Sequence, residues 1–331
     1  EAENAAIVIA EDSSADVTII LADNTKNSLV SGNNKAAIQK TSSSGKLTVT
    51  CEHAKEFHDC DKTCGALMAK GNGYGAGIGG IAGKITGDLV IAGGVISAYS
   101  EDGAGIGDGR QSFNNGSGIY ITGGSITASS NQGAGIGCGF AALNKKMKIV
   151  ISGGKIIATS TQGAGIGGYV SNVETDVTIS GGSIKTTSIV GAPHNENGKE
   201  VFLRKIENTK EQDITVDGVT YPFKDQGTED PYLYVYLTEG KHTINDKRVS
   251  YEYSSTKKEL LYKPVKADLN FFIPPTMTYD GGERSFPVSV QSDAPYSDNN
   301  VAVRYYDSEG TELESAPVNA GKYFIKAYLE E

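Results

Sequence analysis

The pentapeptide GAGIG occurs four times, at Gly75–Gly79, Gly103–Gly107, Gly133–Gly137 and Gly163–Gly167, with starts 28, 30 and 30 residues apart. A second phrase recurs between the copies: LVIAGGVISA from Leu89, IYITGGSITA from Ile119, IVISGGKIIA from Ile149 and VTISGGSIKT from Val177. Its Gly-Gly pairs begin at 93, 123, 153 and 181. Self-similarity at a period of this size is the mark of a solenoid or array. In IYITGGSITA, Ile119, Ile121 and Ile126 are apolar, whereas Tyr120, Thr122, Ser125 and Thr127 are polar or amphipathic. That alternation belongs to a strand with one buried face. Each repeat thus offers three strands too short to build a sheet of their own. They find partners by stacking on the same strand of the next repeat, about 4.8 Å away, in a parallel ladder. Paired glycines then stand at corners, where the chain bends or passes close to its neighbour. The fold class expected is all-β, its main body a right-handed parallel β-helix: a three-faced solenoid with a narrow core of Ile, Val and Ala. A β-sandwich of tandem hairpins would need wider turn spacing and more aromatic core residues.

At 331 residues the chain has room for two or three domains, and its 42 glycines and lack of Trp fit a β-rich fold with many turns. The boundaries expected are 1–195 for the β-helix with an N-terminal cap, 196–263 for a small β-module and 264–331 for an Ig-like sandwich. The repeat region from Lys70 to Thr187 carries eight Lys and Arg against six Asp and Glu, a net +2, so −12 of the overall −10 falls on the flanks. No basic patch stands out in either part, which argues against nucleic acid and anionic membrane as partners. No run of 18 apolar residues is long enough to span a membrane. The opening EAENAA lacks the charged and apolar regions of a signal peptide, so such a leader is expected to be already removed or never present.

Residues 1–50 read as the same solenoid with its glycines worn away. Val17–Leu21 and Asn27–Val30 alternate as strands, Ala36-Ala37-Ile38 takes the place of GAGI, and Leu47–Thr50 that of the following strand. Terminal repeats are expected to be atypical because they cover an open end of the core. Where later repeats place Gly-Gly stands CEHAKEFHDCDKTC, and Gly65–Ala69 then resumes the pattern. The insertion at 51–64 therefore sits at a corner, with Cys51, His53, His58, Cys60 and Cys64 in 14 residues. Two chemistries compete for it, with free thiols as the remaining reading. A disulfide between Cys51 and Cys64 would close the excursion and leave Cys60 over. Alternatively, three thiolates and one imidazole would make a structural zinc site, the one cofactor the sequence raises. Cys138 stands where other copies have Gly80 and Gly168, and reads as an inert thiol at a small corner.

The segments after each GAGIG differ in length and content, and varied inserts on one side of a solenoid often form its working surface. The candidate ligand residues there are Arg110, Phe113, Asn114, Asn115, Phe140, Lys145, Lys146 and Tyr169. From Glu200 the texture changes to longer alternating strands separated by turn signals such as Asp217-Gly218. Tyr232, Tyr234 and Tyr236 share one face of a strand; cross-strand packing is the reading favoured over sugar stacking. Pro264 and Ile273-Pro-Pro275 mark a linker into the last, antiparallel module.

The GAGIGG…VTISGGSITA repeat resembles glycine-rich repeats of large secreted or wall-attached proteins of Gram-positive gut bacteria. The segment CEHAKEFHDCDKTCGALMAKG resembles a Cys/His insert preceding GAGIGG in some of them, and YDGGERSFPVSV with APVNAGKYFIKA is similar to Ig-like modules of the MBG type. The resemblance implies an exported, extracellular or wall-associated segment of a longer polypeptide, serving adhesion or display through a glycan or a host or cell-surface protein. It supplies no catalytic residues. A polysaccharide-active enzyme is the alternative, since β-helices often host them, yet a glycosidase needs two facing carboxylates. Asp88 and Asp176 precede equivalent strands three coils apart, and Glu101-Asp102 is followed in later copies by Asn131-Gln132 and Thr161-Gln162. Arg110 beside Asp108 is the one weak lyase candidate, so a non-enzyme is expected. A purely structural spacer rod is the third reading.

Overall fold

The computed structural model describes residues 4–53, 60, 63–114, 118–145, 147–169, 175–210, 212–223, 231–263, 268–272, 281–291 and 301–329. Up to Val190 the chain winds through three parallel sheets. The first holds Ile7–Ile9, Ile38–Lys40, Ile78–Gly79, Ile106–Gly107, Ile136–Gly137, Ile166–Gly167 and Ile189–Val190, side by side in chain order. The second holds Val17–Leu21, Lys46–Cys51, Asp88–Ile91, Gly118–Ile121, Met147–Ile151 and Thr175–Ile179. The third holds Lys26–Val30, Ala66–Lys70, Val95–Ser100, Ser125–Ser130, Lys155–Ser160 and Ser183–Thr186. The expected parallel β-helix is therefore present, and its glycine-poor first coils stack in register with the rest.

Register turns the repeat into columns. Ile7, Ile38, Ile78, Ile106, Ile136, Ile166 and Ile189 lie one above another on the first face. Val49, Ile91, Ile121, Ile151 and Ile179 do so on the second, and Leu67, Ile96, Ile126, Ile156 and Ile184 on the third. These side chains form one continuous core. Each fully buried Ile contributes about 2 kcal/mol by leaving water, and a coil holds several.

Two glycine positions per coil are fixed by geometry. The last residue of GAGIG has φ of +132°, +136°, +136° and +112° at Gly79, Gly107, Gly137 and Gly167. A Cβ there would strike the carbonyl oxygen of the equivalent residue in the next coil. The second glycine of each Gly-Gly corner, Gly94, Gly124, Gly154 and Gly182, has φ between +84° and +94°. Both are conformations that side chains other than glycine's rarely adopt. The first coils escape the first requirement by staying extended: Gln39 pairs with Gly79, and the strand runs on to Lys40. Lys40 is fully buried, its ammonium donating to the carbonyls of Ser42 at 2.6 Å and Ser44 at 3.1 Å. Burial holds its pKa below the ordinary lysine value.

One compact unit comprises Glu1–Glu239 and Tyr253–Leu261; the other comprises Gly240–Glu252 and Tyr262–Glu331. In the first, Phe202–Glu207 pairs antiparallel with Tyr232–Leu237. This sheet lies against the last coil. The Lys185 ammonium sits 5.5 Å from the Tyr234 ring centroid, the Tyr234 N–H points to Ser183 Oγ at 3.5 Å, and Tyr236 packs on the solenoid core. Burial pushes the Tyr236 hydroxyl up to about 12. The tyrosine row thus packs over the end of the repeat. Ile214–Val216 and Val219–Tyr221 form a hairpin through the Asp217-Gly218 turn, with both turn residues at positive φ.

In the second unit the pairings are antiparallel: Gly240–Ile244 with Lys247 to Tyr251, Asp268–Phe271 with Val288–Gln291, and Val301–Tyr306 with Phe324–Leu329. A small core of Phe286, Tyr305 and Ala316 forms there, with Val303, Leu313 and Ile325 against it. No helix long and apolar enough to cross a membrane occurs among the described residues.

Candidate functional site

Stacking brings the variable segments into rows just as it does the isoleucines. Gly109 and Gly139 lie so close that a Cβ on Gly139 would meet the Gly109 carbonyl, and the residues after them, Arg110 and Phe140, become neighbours. The Arg110 guanidinium lies over the Tyr74 ring at 4.5 Å and 5.2 Å from the Phe140 centroid. Phe140 meets Tyr169 edge-on, with centroids 4.6 Å apart and planes at 72°. Backbone bonds fix the row, with Arg110 N donating to Tyr74 O at 2.9 Å and Phe140 N to Asp102 O at 2.7 Å.

Asp102 anchors this row electrostatically. It is buried, accepts from Arg110 Nη1 at 3.1 Å, and its other oxygen accepts from Gln132 Nε2 at 2.8 Å. The guanidinium is thereby held between two rings, with its Nε lacking a hydrogen-bond partner among the described residues. Tyr74 is exposed, while Arg110, Phe140 and Tyr169 are half-buried. Four planar groups from four successive coils span roughly 14 Å, at about 4.8 Å per coil. Such a ridge offers stacking faces and donors together.

Of the candidates named from the sequence, Arg110, Phe140 and Tyr169 come together. Phe113 belongs to a separate element. It is exposed, on a short strand with Asn114 that pairs in parallel with Leu143–Lys145, so two of the inserts also stack. Asn115 and Lys146 lie outside the described residues. Tyr74, unremarked in the sequence, completes the row. It precedes its own GAGIG and belongs to the segment before the repeat, so no periodic signal marked it.

The acids occupy separate places. Asp108 is buried and accepts from Thr86 Oγ1 at 2.5 Å, and Asp88 Oδ1 accepts from Gly118 N at 2.8 Å. Asp88, Gly118, Lys148 and Asp176 are equivalent positions of successive coils, which leaves the two acids three coils apart. Asp176 meets His194 Nε2 at 2.6 Å. Glu174 lies outside the described residues.

At the Cys corner both feet of the excursion are tied to the preceding turn. Glu52 Oε2 accepts from Asp23 N at 2.9 Å, Thr63 O accepts from Asn24 N at 2.8 Å, and His53 Nδ1 rests on the Asp23 carboxylate. Cys51, Cys60 and Cys64 are buried, and their sulfurs all lie within 4.8 Å of one another. The Cys51 sulfur is 3.5 Å from that of Cys60 and 3.9 Å from that of Cys64, both longer than a disulfide bond. Gly94 N donates to Cys60 Sγ at 2.7 Å. Burial pushes the Cys60 thiol well above its ordinary pKa. His58 lies outside the described residues. Cys138 is fully buried, with its thiol 3.9 Å from Met147 Sδ.

A family model described as a β-helix repeat matches residues 89–110, 119–140 and 149–169. The three matched segments each run from a second-face strand through the Gly-Gly corner and GAGIG to the ridge residue: Arg110, Phe140 or Tyr169. No curated protein and no solved structure matches the chain. Fold and comparison together define a glycine-rich parallel β-helix repeat protein.

Proposed function

We propose that this β-helix is a non-catalytic, extracellular scaffold for adhesion or display, a segment of a longer surface polypeptide, and that it recognises glycan through its aromatic ridge. The observation that carries this reading is the row Tyr74, Arg110, Phe140 and Tyr169, held over the buried Asp102. Sugar rings present apolar C–H faces and a rim of hydroxyls. Flat rings and a fixed guanidinium match both. A rigid parallel stack gives such a surface without the ordering cost a mobile loop would incur on binding. The Cys/His insert and the repeat, both resembling secreted or wall-attached proteins, support export, and the Ig-like resemblance of the last module supports a role as one element of a surface protein.

The test is a glycan array probed with the whole chain, alongside assays for release of reducing or unsaturated ends from polysaccharides. Retention of one class of glycan without chain cleavage is expected. Cleavage would move the assignment to the polysaccharide-active alternative. Silence on the array together with no cleavage would favour a spacer rod.

A further inference from the structure

We infer that the corner formed by Cys51, Cys60 and Cys64 is a binding site for one thiophilic divalent metal ion, zinc by preference, which ties Cys60 to the two ends of the insertion. Zinc bonds thiolate sulfur at about 2.3 Å with tetrahedral angles, which sets neighbouring sulfurs about 3.8 Å apart. The separations here, 3.5 and 3.9 Å, bracket that value. A disulfide would require about 2.05 Å between two of them, with the third turned elsewhere. Instead all three converge on one point, all three are buried, and they come from both feet and the interior of one excursion.

The composition of the excursion makes the same demand. Between Cys51 and Cys64 the sequence EHAKEFHDCDKT has six charged residues and, besides Cys60, only Ala54 and Phe57 as apolar ones. A segment so polar has little apolar surface to bury, and such segments are ordinarily held by metal or disulfide. Its described residues in the solenoid core are the three cysteines. The Gly94 N–H aimed at Cys60 Sγ is the kind of donor that lowers charge on a ligating thiolate. It also links the site to the Gly-Gly corner of the following coil. Three thiolates fill three positions of a tetrahedron. His53 Nδ1 is engaged with Asp23, and the proposal covers the three sulfurs. Each thiol releases its proton as the metal binds, so no oxidant or reductant takes part.

The whole chain, purified without chelator, is assayed for zinc by elemental analysis and for thiols after denaturation in chelator without reductant. One zinc per chain and four reactive thiols are expected. Two thiols in place of four, showing a disulfide, would overturn the proposal. So would a metal-free chain that takes up no equivalent of zinc when offered it. Cobalt(II) loaded into the stripped protein should give the intense charge-transfer and d–d absorption of tetrahedral thiolate coordination. Cys60→Ser should shift or abolish that absorption, and Cys138→Ser should leave it unchanged. An unchanged spectrum in Cys60→Ser would also overturn the proposal; the zinc and thiol counts on the unmodified chain stand even if that variant does not fold.

Discussion

The same corner of the solenoid is built in two ways. In the central coils it takes two glycines, Gly93-Gly94, Gly123-Gly124, Gly153-Gly154 and Gly181-Gly182, the second always at positive φ. In the second coil the chain leaves at Cys51 and returns at Cys64, and three sulfurs gather at the corner. Yet the strands on either side do not register the difference. Residues 46–49 pair with the following coil in the second sheet, and Ala66–Lys70 does so in the third, each residue for residue. The lesson is that the faces specify the fold and the corners are free to vary, provided the chain re-enters on the right residue. A glycine corner meets that condition by backbone conformation, and the Cys corner meets it by side-chain chemistry.

That contrast is broken most severely on the first face. Gly137→Ala combines a φ of +136° with a collision against the Gly167 carbonyl, and strain plus overpacking should cost about 4 kcal/mol. Urea denaturation should show this as a large fall in midpoint; a loss below ~1 kcal/mol would mean that the coil spacing can yield. Gly124→Ala tests the corner itself. Its φ is +93°, but the nearest atom to an added Cβ, the Gly94 oxygen, is 3.0 Å away. Strain then dominates over a milder crowding, for a total of about 2 kcal/mol. Equal costs at Gly124 and Gly137 would contradict the distinction between a tightly crowded face and a less crowded corner.

Smaller effects fall on the variable side. Phe140→Ala removes the ring shared by Arg110 and Tyr169, and loss of stacking should weaken glycan retention by about 1 kcal/mol, roughly fivefold, with the melting temperature little changed because the ring is only half-buried. The smallest is a pH effect where the solenoid ends. The His194 pKa is raised by its bond to the Asn195 carbonyl and then by Asp176. The protonated ring therefore favours the folded state. Its stabilisation is complete below the ordinary value of about 6.5 and is lost as pH rises through the higher folded value. The stability difference between the native chain and His194→Ala should shrink on going from about pH 6 to pH 9; a constant difference would deny the linkage.

Much of this was legible in the letters, for a physical reason. A column is a contact between residues one period apart, so it shows in sequence wherever the residue type repeats. Ile78, Ile106, Ile136 and Ile166 announce themselves, as do the Gly-Gly corners, and the excursion at Cys51 is visible because it displaces one of those corners. The ridge was half legible. Arg110 and Phe140 share a repeat position but not a chemistry, and Tyr169 stands one residue earlier in its own copy, so only their location in varied segments marked them. Tyr74 and Asp102, which hold the guanidinium, stand before GAGIG and not after it. Buried Lys40 was invisible: nothing in TSSS says that its backbone will turn carbonyls onto the ammonium. The convergence of three sulfurs was foreseeable as a cluster, whereas their separations are something that only coordinates supply.

The central claim is that the stacked planar row is the working face, and the most direct measurement is a chemical-shift map of the chain titrated with the glycan it retains. The account predicts that signals of Tyr74, Asp102, Arg110, Phe140 and Tyr169 move together and saturate at one affinity, while the strands of the other two faces stay still. Shifts confined to the tyrosine strand Tyr232–Leu237 or to the second unit, with the row unmoved, would contradict it.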